Sequence, residues 1–134
     1  MFIGGTIDGR NVATSRTRIV LGLGFVGAGV LHFVAPEAYE GIMPSYLPLH
    51  RELVLASGAA EALGGLGLLH ERTRRAAGVW LVLLLLAVWP ANLQMLLDAR
   101  AANGPAWYLV LLYARMPLQI PLMLLVWRAS RALN

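Results

Sequence analysis

Polar residues are gathered into a few short stretches of this chain, and four long apolar segments run between them. The apolar segments lie at about 19–35, 52–69, 76–97 and 106–127. A helix rises about 1.5 Å per residue, so roughly 17–25 apolar residues cross the ~30 Å hydrocarbon core of a bilayer. Each segment meets that length. The pattern predicts an all-α integral membrane protein, a four-transmembrane-helix bundle.

The breaks have their own chemistry. Residues 1–18, MFIGGTIDGRNVATSRTR, are polar and read as a loosely ordered tail. Residues 36–51 carry Pro36, Pro44 and Pro48, which forbid one continuous helix there. Tyr39 and Tyr46 in the same stretch are amphipathic rings of the kind found at a membrane interface. This connection is either an interfacial loop or a lid over the mouth of the bundle. Residues 70–75 are short enough only for a tight turn, and 98–105 form a second polar turn. The division that follows is a tail over 1–18 and one membrane domain over 19–134. The first apolar run resembles a signal-peptide core, but Pro36 directly follows the small-residue site Val34-Ala35. An uncleaved anchor is expected.

Composition agrees. The chain is 58% hydrophobic and 13% charged, against about 25% charged in ordinary soluble domains. Its mean hydropathy is +0.65. The formal charge of +4 comes from eleven arginines and seven acids, with no lysine. Most arginines stand at the ends of apolar runs rather than on one face with aromatic partners, which argues against a nucleic-acid partner. They also predict orientation. Arg10, Arg16, Arg18, Arg72, Arg74, Arg75, Arg128 and Arg131 fall on one side of a four-span protein, and only Arg51 and Arg100 on the other. The positive-inside rule then places both termini in the cytoplasm, with the protein multi-pass in the cytoplasmic (inner) membrane. The absence of cysteine removes disulfides and thiol chemistry from this chain.

Candidate chemistry centres on Glu61, in the middle of the second span. An ionisable group at bilayer depth costs about 2.5–3.5 kcal/mol on insertion scales, so it faces protein or water and has a partner. Ser57, Gly58, Gly64 and Gly65, one turn to either side, are small and turn this face inward. Arg115 is the only other formal charge at membrane depth, and both groups fall about 13 Å from the same end. A Glu61–Arg115 pair is therefore expected. His32 and Asn92 lie nearer that end, on the first and third spans. Gln119 shares a stripe with Tyr108, Arg115 and Leu122, and Trp89 shares a face with Asn92 and Leu96. His32, Glu61, Trp89, Asn92, Arg115 and Gln119 are the candidate ligand-binding residues. Phe33, Trp89 and Leu112 are expected to supply apolar wall. The three histidines and the acids lack the spacing of a metal site, so no metal is expected. No nucleophile–base–orienter set and no phosphate-binding glycine loop is visible.

Several of these motifs together resemble the DoxX family of small four-helix membrane proteins. They are His32-Phe33 followed by Pro36; Met43-Pro44 with Leu47-Pro48; Ser57-Gly58 with Glu61 and Gly64-Gly65; Arg74-Arg75; and Trp89-Pro90-Ala91-Asn92. The resemblance spans about residues 20–127, with Trp89 standing where the family often has phenylalanine. It implies a four-helix bundle with cytoplasmic termini. It also implies a membrane subunit associated with a quinone-linked redox system, not catalytic alone, with no covalent cofactor. The polar centre would hold a quinone or lipid-like amphipathic molecule. Partners would be the bilayer, a membrane or membrane-associated protein, and a second copy of the chain. The alternative is an assembly factor or scaffold whose polar centre is purely structural.

Overall fold

A computed structural model describes residues 9–132 of the chain, and among them there are five helices and no strand. These are α1 (Gly9–Val34), α2 (Pro36–Glu40), α3 (His50–Leu69), α4 (Arg74–Ala101) and α5 (Ala106–Arg131). Four of them, all but α2, are long and apolar enough to cross a membrane. The stretch read as a loose tail is helical from Gly9 onward, one continuous piece with the first apolar run. Residues 1–8 of that tail lie outside the described residues. Nothing between Asn11 and Arg18 breaks a helix: the stretch has neither glycine nor proline, and Thr17 Oγ1 donates to the Ala13 carbonyl at 3.0 Å.

The helices pair as α1 on α3 and α4 on α5, with α3 on α4 and a lighter α1–α5 contact closing the ring. The α1–α3 pairing is the most extensive, and glycine makes it possible. A Cβ at Gly58 would stand 2.8 Å from the Gly29 carbonyl oxygen, and one at Gly65 would stand 2.6 Å from that of Gly22. The two contacts are seven residues apart on both helices, which run antiparallel. Any side chain there would drive the backbones apart, so the small residues are what allows the two helices to approach this closely.

The bundle is packed at one end and hollow at the other. Near the end that holds the 70–73 turn, Phe25, Leu68, Ala77, Leu81 and Val126 form the apolar core, with Leu21, Val82, Leu84, Leu85 and Leu122 around it. Thr73 Oγ1 ties the turn to the Gly67 carbonyl at 2.9 Å, and Trp80 Nε1 donates to the Ala60 carbonyl at 2.9 Å. At the opposite end, the α1–α3 connection folds over the bundle. Pro36 occupies the first position of α2, where its missing N–H costs nothing. Pro44 is fully buried and its carbonyl accepts a hydrogen bond from His50 Nε2 at 3.1 Å. Arg51 reaches back to Glu40 at 3.3 Å and to Glu37 at 3.6 Å. The sides that face away from the bundle are lined with large apolar residues, among them Val20, Leu23, Leu63, Leu83, Val110 and Ile120.

Candidate functional site

All four long helices and the 36–49 connection contribute to one cavity of about 690 Å³ at the hollow end. That size falls within the roughly 300–1,000 Å³ of small-molecule sites. Most of its wall is apolar: Phe25 and Ala28 from α1, Leu53 and Val54 from α3, Leu84, Leu85, Val88 and Met95 from α4, and Leu111, Leu118 and Leu122 from α5. Into this wall the chain sets His32, Ser57, Glu61, Asn92, Arg115 and Gln119. Five of the six candidate ligand residues therefore face a single space, although they come from four helices.

Each is held differently. His32 stands one turn beyond Ala28 on α1, and its Nδ1 donates to the Ala28 carbonyl at 2.9 Å. The same nitrogen is 3.7 Å from Glu61 Oε2, ion-pair range when the ring is protonated. The ring face stacks on Tyr39, with centroids 3.9 Å apart and planes 20° from parallel. The partner of Glu61 is thus His32. Arg115 makes no ion pair or hydrogen bond with Glu61, although its charge still acts on the carboxylate through space. The expected Glu61–Arg115 contact is replaced because Gly29 and Gly58 bring α1 and α3 together at this level. His32 is one turn from Gly29, and a Cβ at Gly58 would press on its side chain.

Asn92 and Gln119 are both buried and bridge α4 to α5. Asn92 Nδ2 donates to Gln119 Oε1 at 3.3 Å, and Gln119 Nε2 donates to the Leu85 carbonyl. Pro90 lies between these two α4 positions and α4 continues through it, as α5 does through Pro117 and Pro121. Proline has no N–H for the carbonyl four residues before it, so the backbone here is short of donors. The carbonyl that Pro90 leaves without a donor is that of Leu86, so the Gln119 bond to Leu85 is a separate tie between the two helices.

Trp89 does not line the cavity and is 41% exposed. The α4 wall is formed by Leu84, Leu85, Val88, Ala91, Asn92 and Met95, and Trp89 sits roughly 60° off Asn92 around the helix, beyond its edge. Phe33, 50% exposed, and Leu112, buried in packing, also lie outside the wall. The residues missed by sequence reasoning are on the connection: Tyr39, Ile42, Met43 and Pro44 roof the cavity. Tyr39 follows His32 by seven residues, but the helix breaks at Ala35, so no periodicity pointed to their stacking.

A smaller cleft of about 250 Å³ adjoins the cavity. Ile42, Met43 and Met95 belong to both, and Asp98, Ala99 and Tyr108 line the far side. Tyr108 thus belongs to the neighbouring cleft, whereas Arg115, Gln119 and Leu122 of the same stripe face the main cavity. Among the described residues no three His, Cys, Asp or Glu side chains gather as a metal site.

A helical bundle of four membrane-length helices with one polar-set cavity is the class this arrangement defines. The chain belongs to the family described as "Domain of unknown function (DUF8561)", which it matches over residues 21–130, a stretch that includes every residue of the cavity wall. No curated protein and no solved structure matches it.

Proposed function

We propose that the chain is a multi-pass protein of the cytoplasmic (inner) membrane that holds a small amphipathic molecule in the cavity between its helices. In this reading it is a DoxX-like membrane subunit of a quinone-linked redox system, acting with a partner protein rather than catalysing a reaction alone. Both termini are cytoplasmic, and the α2 connection faces the opposite side. The observation that carries the reading is the convergence of His32, Glu61, Asn92, Arg115 and Gln119 on one otherwise apolar cavity. Charged and amide groups at bilayer depth are costly, and sites for small molecules combine apolar walls with a few converging polar groups. The apolar outward faces and the distribution of arginines, eight toward one end and two toward the other, support membrane insertion and the orientation.

One observation favours a second reading, an assembly factor or scaffold. Around Gly24 and Gly27 of α1 a Cβ would meet nothing within 4 Å, leaving a small-residue surface on which another membrane helix can lie closely. The test is to purify the protein in mild detergent and extract it with organic solvent. A lipid-soluble compound recovered in stoichiometric amount supports the ligand reading. A stoichiometric membrane-protein partner without such a compound supports the scaffold.

A further inference from the structure

Arg115 lies nine residues into α5, about 14 Å from the start of that helix, with sixteen more residues beyond it. It lines the cavity and has neither a hydrogen bond nor an ion pair with any other described residue. Glu61, the one carboxylate on the cavity wall, has His32 beside it at 3.7 Å. Asn92 and Gln119 are engaged with each other and with Leu85. Arg115 is thus the one arginine on the cavity wall, and Glu61 acts on it only through space. An arginine at that depth is costly without a contacting counter-charge, and its planar fork of donors matches a carboxylate in two parallel hydrogen bonds.

We infer that the cavity takes an amphipathic carboxylate, its headgroup on Arg115 and its hydrocarbon along the apolar wall of α4 and α5. This rests on the ligand reading above and narrows it from amphipathic molecules in general to monoanions. One free guanidinium supplies one positive charge, and Glu61 across the cavity opposes a second negative charge on the guest. Bulk phospholipid is the wrong source for the headgroup, because its phosphodiester is too acidic to enter the hydrocarbon uncharged, whereas a carboxyl group can reach mid-depth as the neutral acid. Leu84, Leu85 and Val88 on α4 and Leu111, Leu118 and Leu122 on α5 form the trough for the chain. Leu118 is also 63% exposed, so the α5 wall of the cavity is continuous with the outer apolar surface. A guest dissolved in the bilayer reaches Arg115 along that side without crossing water.

The probe is radiolabelled dodecanoate, measured for saturable binding to the full chain in maltoside micelles with empty micelles as blank. Unlabelled dodecanoate and its methyl ester, which has the same chain without the charge, serve as competitors. The acid should compete at least tenfold better than the ester, and Arg115→Gln should remove that preference while leaving weak binding of both. Equal competition by acid and ester on the unmodified chain overturns the carboxylate assignment and leaves the cavity as a neutral-ligand site. A preference for the acid that survives in Arg115→Gln overturns the role of Arg115. No saturable binding of acid or ester overturns this inference, and compound recovered in the organic extract then decides whether the ligand reading stands without it. Because the acid–ester comparison uses the unmodified protein, the result does not depend on the variant folding.

Discussion

The imidazole of His32 and the phenol ring of Tyr39 stack with centroids 3.9 Å apart, joining the end of α1 to the short helix that roofs the cavity. His32 is fixed from below by its bond to the Ala28 carbonyl, so Tyr39 has a rigid platform. The roof thus rests on a residue of the cavity wall.

Loss of that stack should loosen the roof without unfolding the bundle. Aromatic pairs contribute about 0.5–1.5 kcal/mol beyond area burial, which corresponds to roughly two- to tenfold in a local opening equilibrium. Tyr39→Ala should raise amide hydrogen exchange over 36–49 by that factor and leave the middle of α3 unchanged. Tyr39→Phe, which keeps the ring, should exchange like the parent. Unchanged exchange in Tyr39→Ala would mean that Arg51 and Pro44 hold the roof alone.

Glycine at position 58 is a requirement of the α1–α3 crossing. Gly58→Val places side-chain atoms against the Gly29 carbonyl and His32, and overpacking of this kind costs typically about 1–3 kcal/mol. Gly24→Ala, where the new methyl meets nothing within 4 Å, is the control and should change stability little. Denaturant midpoints in detergent measure both. Equal loss in the two variants would contradict the tight crossing.

The electrostatic partner of Glu61 can be read from a double-mutant cycle. Groups in contact show coupling of about 0.5–3 kcal/mol, whereas separated groups add. Glu61→Gln combined with His32→Gln should therefore be clearly non-additive in stability. Glu61→Gln combined with Arg115→Gln should couple more weakly, through space only. Stronger coupling to Arg115 than to His32 would refute the arrangement.

Orientation is testable with single cysteines on the natural cysteine-free background. Ser45 and Arg72 are both exposed, at opposite ends of the bundle. In intact cells a membrane-impermeant thiol reagent should label Ser45→Cys and spare Arg72→Cys. The reverse pattern would invert the proposed topology.

The sequence by itself determined the class: four helices long and apolar enough to span a membrane. Hydropathy and helix length are properties of contiguous segments, and the prolines, polar turns and arginines that bound them are local too. The small-residue face of α3 was likewise legible, since Gly58 and Gly65 need only be seven residues apart to share a side. The extension of α1 back to Gly9 was not, because helices need not end where hydropathy does.

Only the tertiary structure decided which charged group meets which. Depth along a helix places Glu61, Arg115 and His32 in similar layers, but contact depends on how far apart two axes lie and how each helix is rotated. The glycine crossing draws α1 against α3, so the carboxylate meets His32 and the guanidinium is left facing the cavity. Rotation about α4 similarly puts Asn92 on the wall and Trp89 past its edge, a difference of roughly 60° that three residues of spacing leave undetermined until the neighbouring helices are in place.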